Sequence, residues 1–249
     1  MSRAGLIRFV VIAATLGLIE AACRLGFIDR FSLIPPSSMV EQAFRILVSG
    51  LYTRDILITF GTVAGAAFLS VGFGLAFGLL LFTFPRFKRA ADPFLASYYA
   101  VPSFIFYPLF IVMFGLNRWP LVAVAFVFAF VAMAIATVDG FLSVRPILLR
   151  AAQSLRLSRA ETVRLVILPA ASPYLFTGVK LAIVYAFIGV VAGEFILSGS
   201  GLGYRIAFAY QSFETGTMYG LMLILLACVV TINMVLWSRE RRLYARIAR

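Results

Sequence analysis

Few residues in this chain could do chemistry, and their placement narrows what that chemistry is. Five arginines, Arg145, Arg150, Arg156, Arg159 and Arg164, fall within residues 145–169, with Glu161 as the one acid among them. Lys180 and Glu194 are the ionisable residues set most clearly inside apolar stretches. A carboxylate in hydrocarbon is costly and normally faces a bundle interior or an aqueous cavity. Glu194 is therefore expected to serve as a gate or an interhelical hydrogen-bond acceptor rather than as a direct substrate contact. Lys180 lies near the inner end of its stretch, where its ammonium can snorkel to the interface. The chain has no histidine, which removes imidazole metal ligands and histidine bases. Cys23 and Cys228 sit at opposite ends of the chain without a supporting motif and read as packing residues. No catalytic residue, metal site or cofactor is expected. A Gly-x4-Gly-Lys-Ser/Thr phosphate loop is also absent, so this chain does not hydrolyse ATP by that route.

The elements that must position these residues are membrane helices. The 249 residues are 63% hydrophobic and 13% charged, whereas a soluble domain is nearer half apolar and a quarter charged. Apolar runs at about 6–22, 56–84, 94–116, 121–141, 174–197 and 217–237 each approach or exceed the ~20 residues that cross ~30 Å of hydrocarbon. The runs are continuous rather than alternating, which argues against a β-barrel. The fold class is thus all-α: a polytopic membrane protein of six transmembrane helices, forming one membrane domain over 1–249. The first run has a basic start and EAAC at 20–23, as a cleaved leader would. Glu20 stands where an apolar residue is wanted, and an uncleaved first helix is expected.

Several local signals refine this outline. Pro35-Pro36 stops any helix and Ser37-Ser38 can cap a new one. Val40, Phe44 and Leu47 then share one face of a short amphipathic helix lying at the membrane surface. Gly61/Gly65 and Gly74/Gly78 are two GxxxG pairs suited to close helix packing. Pro102 and Pro108 fall inside the third span with Ser103 between them, predicting a twice-kinked helix that lines a translocation path. Of the 22 lysines and arginines, 15 fall on the face that holds both termini and the 145–169 loop, and 6 on the other. The positive-inside bias places that first face in the cytoplasm. The net charge of +12 then reports topology and contact with anionic membrane lipids, not nucleic acid. A DNA-binding helix-turn-helix is excluded because spans hard against both ends of the loop keep it from a major groove.

Within the loop, Pro146 suits the first turn of a helix and Ile147–Arg156 are good helix formers. Leu157 breaks the register, and Ser158 with Glu161 forms a capping box for a second helix. That helix is expected to run to Leu168 and stop at Pro169. Ala151 and Ala152 give the first helix a smooth face on which another protein could sit.

These residues resemble the EAA loop of ATP-binding-cassette importer permeases, in which Glu-Ala-Ala is followed by three residues, Gly, nine residues and Ile-x-Leu-Pro. Here Arg150-Ala151-Ala152, Arg156 and Val166-Ile167-Leu168-Pro169 stand at that spacing. Within the superfamily the chain is similar to the nitrate/sulfonate/taurine-type permeases through LIPPSSMV at 33–40, the proline-rich 92–115 and LPAASPYLFTGVKLA at 168–182. Glu194 with GSGLGY at 199–204 completes a collinear likeness over about residues 30–240. Two positions depart from the pattern: the acidic first residue is Arg150 and the glycine is Arg156. With arginine at 156, the helix can continue and the break shift to Leu157-Ser158. Reversed charge at Arg150 fits either an acidic groove on the partner or weakened coupling.

The resemblance implies the fold of a type I importer, in the inner membrane of a bacterium with both termini cytoplasmic. Arg150, Ala151, Ala152, Arg156, Leu157, Ser158, Leu168 and Pro169 would couple to ATP-binding-cassette ATPase subunits. Pro102, Ser103, Pro108 and Glu194 would line or gate the path. A second copy would complete a homodimer, and an extracytoplasmic solute-binding protein would deliver a small solute, such as a sulfonate or nitrate, to the 23–55 and 198–216 connections. The alternative is a secondary transporter driven by an ion gradient. It predicts inverted repeats and several intramembrane carboxylates, where this sequence has no visible repeat and essentially one such acid.

Overall fold

A hydrocarbon environment leaves backbone amides and carbonyls no partner but one another, and helices satisfy them internally. The computed structural model describes residues 3–29 and 31–247, and for 3, 4, 99, 103 and 242–247 the backbone alone. Among the described residues there is no strand. Among the same residues five helices are long and apolar enough to cross a membrane, and a shorter apolar helix lies at Phe104–Phe114. Contacts divide the chain into two compact units, Met1–Ile58 with Glu194–Val230, and Thr59–Gly193 with Thr231–Arg249.

In the first unit, α1 (Arg3–Arg24) is apolar all round and almost wholly exposed, as a lipid-facing helix should be. Its end is tied to α2 (Pro36–Ser49). Ser37 N–H and the Ser37 hydroxyl donate to the Glu20 carboxylate at 3.0 and 2.7 Å, and Arg24 Nε donates to it at 2.6 Å. The cap expected from Ser37-Ser38 is thus supplied from α1. The helix begins at Pro36 itself, where a missing N–H costs nothing, and a carboxylate is favoured beside a helix N-terminus. One face of α2 packs on α11 (Thr215–Ile247). There Gly220 lies so close that a Cβ would come within 2.8 Å of Ile46 Cδ1 and 3.2 Å of the Ala43 nitrogen. The Val40, Phe44 and Leu47 face expected at the membrane surface is exposed. Between α3 (Thr53–Thr83), which starts in this unit, and α11 in sequence come α9 (Leu168–Leu197) and α10 (Leu202–Gln211).

The second unit is built around α6 (Trp119–Leu142), the most buried of the spanning helices at 61% of its most apolar window. Small residues let its neighbours approach closely. A Cβ at Gly74 or Gly78 of α3 would come within 2.6 Å of Met133 Cβ or 2.5 Å of Thr137 Cβ. On α9, Gly178 faces Ala136 and Gly189 faces Ala125. The expected packing role of Gly74/Gly78 is therefore seen, whereas nothing lies within 4 Å of a Cβ at Gly61 or Gly65.

Residues 94–116, expected as one twice-kinked span, are not one helix. Helix α4 (Pro85–Ser97) gives way to 3-10 turns at Tyr98–Ala100 and Ser103–Phe106. An eight-residue helix, α5 (Tyr107–Phe114), follows. The residue before a proline is pushed out of the helical region, and Val101 is extended at φ −89°, ψ 120°. Pro102 thus breaks the chain rather than kinking it. Pro108 sits in the first turn of α5, where it fits without distortion. At about 12 Å long, α5 anchors inward through buried Tyr107, packed with Leu121 and Val124 of α6.

Candidate functional site: the 145–169 loop and the polar contacts of the spans

The loop folds as two helices because its ends are well capped. Helix α7 (Pro146–Ser154) starts with its proline in the first turn. It closes when Arg156 N–H donates to Gln153 O at 2.9 Å and Leu157 N–H to Ala152 O at 3.0 Å. That pair of bonds is the Schellman motif, which wants a left-handed residue at its penultimate position. Arg156 occupies it with φ 53°. The expectation that arginine here would prolong the helix is therefore wrong. The turn stays where the resemblance has glycine, and Arg156 carries the backbone strain that glycine would not.

Ser158 then caps α8 (Arg159–Thr162) through the expected box. Glu161 N–H donates to the Ser158 hydroxyl at 3.3 Å, and the Glu161 carboxylate accepts from Ser158 N–H at 2.8 Å and from its hydroxyl at 2.6 Å. Hydrogen bonds from the Ser158 side chain, then from its backbone, hold the Glu161 carboxyl below the ordinary carboxylate range. This acid lies in the polar loop, before the apolar part of the helix begins.

Pro169 does not stop the second helix. A π-turn at Val163–Ile167 widens the chain, with Leu168 N–H donating to Val163 O. A proline ring otherwise clashes with the carbonyl four residues back, and a π-turn is one way for a helix to pass such a point. Residues 159–197 consequently run on as helix through α8, the π-turn and α9.

Arg150, Ala151, Ser158 and Pro169 are exposed, Leu157 is half-buried and Leu168 is 38% exposed. Ala152 is only 2% exposed. Contrary to the expected alanine face, Ala152 packs inside the loop and Ala151 alone is presented. Between α7 and the π-turn with the start of α9 lies an open apolar groove of about 360 Å3, lined by Leu148, Leu155, Leu165 and Val166 among others. Arg150, Arg156, Arg159 and Arg164 of the same loop are exposed.

Glu194 is fully buried and accepts a hydrogen bond from Gly203 N–H at 2.9 Å. Beside it, Gly201 has φ +97°, and a Cβ there would overlap the Glu194 carboxylate. Buried Asp55 takes Gly201 N–H on Oδ1 at 3.0 Å and Arg205 Nε on Oδ2 at 2.9 Å. The Arg205 guanidinium also lies over the rings of Tyr52 and Tyr204, at 5.9 and 5.6 Å. The glycine amides at the start of α10, which could have approached an anion, are thus taken by the protein's own carboxylates. In the other unit, Lys180 is held by Glu240 at 2.9 Å, and the Thr177 hydroxyl also donates to Glu240 at 3.0 Å. Pairing within the bundle replaces the snorkelling expected of Lys180.

Pro102 lies between the two 3-10 turns and Pro108 in the first turn of α5, and the side chain of Ser103 lies outside the described residues. Asp55, Arg205 and Glu240 were missed as sites. Asp55 reads in sequence only as an acid at the mouth of an apolar run, because its partners lie about 150 residues away. Asp139, near the C-terminal end of α6, lines cavities of about 310 Å3, shared with Lys88 and Asp92, and about 390 Å3, shared with Tyr174 and Tyr185.

Known proteins resemble this chain in sequence and in fold. The family profile described as binding-protein-dependent transport system inner membrane component matches residues 56–249. A probable ABC transporter permease protein of Brucella melitensis is 28% identical over 208 residues, spanning 84% of this chain and 85% of that protein. The taurine transport system permease protein of Escherichia coli is 26% identical over 224 residues, 88% and 82%. The bicarbonate transport system permease protein of a Synechocystis strain is 30% identical over 209 residues, 75% and 74%. Among solved structures, an inward-facing methionine ABC transporter superposes with TM-score 0.68 at 20% identity, covering 79% of this chain and 97% of that one.

Proposed function

Since this chain belongs to the family of binding-protein-dependent transport system inner membrane components, we propose that it is the permease subunit of an ATP-driven importer for a small polar solute. It is a multi-pass membrane protein of the inner membrane, and ATP hydrolysis belongs to a separate partner subunit. The relatives' names, which include taurine and bicarbonate transport, favour a small organic or inorganic acid or zwitterion. The N- and C-termini and the 145–169 loop face the cytoplasm by the positive-inside bias. Two copies form the permease pair, an extracytoplasmic binding protein delivers solute, and anionic lipids contact the basic clusters.

The observation that carries the mechanism is the continuity of α8 with α9. The loop's second helix and the spanning helix form one rod of about 58 Å at 1.5 Å per residue. A partner ATPase gripping Arg150, Ala151, Arg156, Leu157, Ser158, Leu168 and Pro169 would hold the end of that rod, with Ala152 packing α7 against it. Closure of two ATPases then tilts two such rods, and rigid-body rocking of helices around a site gives alternating access. The broken segment at Pro102, Ser103 and Pro108 borders the path, and Glu194 fixes the turn into α10 as its gate.

The test is to purify the tagged protein with its membrane partners and reconstitute it. Recovery of an ATPase bearing a phosphate loop, with uptake into liposomes that requires ATP, is the expected result. Uptake driven by an ion gradient with no ATPase recovered would overturn the reading.

A further inference from the structure

We propose that the cavities around Asp139 form a cation subsite, one that takes the ammonium group of a small amine-bearing solute. The proposal deepens the transport reading and rests on it for the direction of flow, while the charge preference of the cavities does not. Their volumes of about 310 and 390 Å3 lie at the small end of ligand pockets. Ile135 and Asp139, one helical turn apart, line both.

Asp139 is exposed there, and no described residue donates a hydrogen bond or an ion pair to its carboxylate. The lysines on neighbouring turns are committed elsewhere. Lys88, in the wall of the first cavity, donates to both Asp92 oxygens at 3.0 and 2.9 Å. Lys180, three residues beyond cavity-lining Thr177, is held by Glu240. The second cavity has no cationic side chain in its lining, so a bare anion meets the Asp139 charge there and no opposite one. An ammonium meets the carboxylate and the rings of Tyr174 and Tyr185, and aromatic faces attract cations. In this site the positive charge that meets the Asp139 carboxylate is the solute's.

The test reads the cavity's electrostatics directly, in the full chain held in nanodiscs with Cys23 and Cys228 replaced by alanine. Ile135→Cys is titrated with a cationic and an anionic methanethiosulfonate reagent, with Asp139 intact and with Asp139→Asn. Comparing the two backgrounds cancels the reagents' own reactivities. A carboxylate one turn away should raise the cation-to-anion rate ratio at least about tenfold over Asp139→Asn. Ethanolamine should slow the modification, whereas sodium and ethanesulfonate at equal ionic strength should not. Leu181→Cys, in the second cavity, carries the same test if Ile135→Cys disturbs packing. A ratio unmoved by Asp139→Asn, no reaction with either reagent, or equal protection by sodium or ethanesulfonate would overturn the subsite. Absence of an ATPase partner with the ratio intact would instead count against the transport reading.

Discussion

Gly201 and Glu194 share one tight corner: the glycine backbone turns at φ +97° against the carboxylate, where a Cβ would overlap it. Both the left-handed conformation and the space are open to glycine alone. Gly201→Ala should therefore unfold the start of α10, read as a lower thermal midpoint in detergent and protease sensitivity near residue 200. Glu194→Gln, which keeps an acceptor for Gly203 N–H, should be milder. Glu194→Ala leaves that buried amide unpaired at about 1–3 kcal/mol.

Arg156 holds a left-handed turn against the preference of its own side chain. Arg156→Gly should stabilise the loop by about 1 kcal/mol, seen as slower amide exchange at Leu157. Arg156→Val should do the reverse. Equal exchange in all three would refute the strain.

The box at Ser158 and Glu161 should respond to pH in a defined direction. Because the folded-state pKa of Glu161 is depressed, its contribution is present above the ordinary carboxylate range. It is lost as pH falls through the lowered folded value. Amide exchange at Glu161 should quicken on acidification in the wild type and be already fast, with little pH response, in Ser158→Ala. The cap itself is worth about 1 kcal/mol.

Ala151 and Ala152 are neighbours with opposite surroundings, and their variants should separate docking from folding. Ala151→Trp and Arg150→Glu should leave the loop folded while reducing ATP-driven uptake about tenfold or more relative to ATP hydrolysis. Ala152→Leu, placed inside the loop, should lower the thermal midpoint as well. Identical effects at 151 and 152 would mean that the exposed face is not the one gripped.

Much of this architecture is written in local patterns. Long apolar runs announced the spanning helices, Ser158 and Glu161 announced their cap, and Gly74 with Gly78 announced a close crossing. What stayed hidden depended on partners distant in sequence or on how strain is shared. Asp55 acquires meaning only beside Gly201 and Arg205. Lys180 reads in sequence as a snorkelling cation, because Glu240, which pairs with it, lies 60 residues on in the last helix. Pro169 and Pro108 look alike as helix breakers, yet one is bypassed by a π-turn and the other merely starts a helix. Arg156 is the least legible position, because the two backbone bonds that close α7 override the helical preference of its side chain.

The π-turn at Val163–Ile167 also sets a clock for the helix it interrupts. It holds one residue more than an α-turn, and each residue of an α-helix advances the angle by about 100°. The wider coil turns through in five residues about the angle that an α-helix covers in four, so deleting one residue there would remove the bulge and leave Arg159 and Glu161 on nearly the same face. A deletion in the regular helix beyond Pro169 has no bulge to absorb it and would swing both residues by about 100° around the axis. The π-turn is thus the one stretch of this helix whose length can change by a residue without turning the loop.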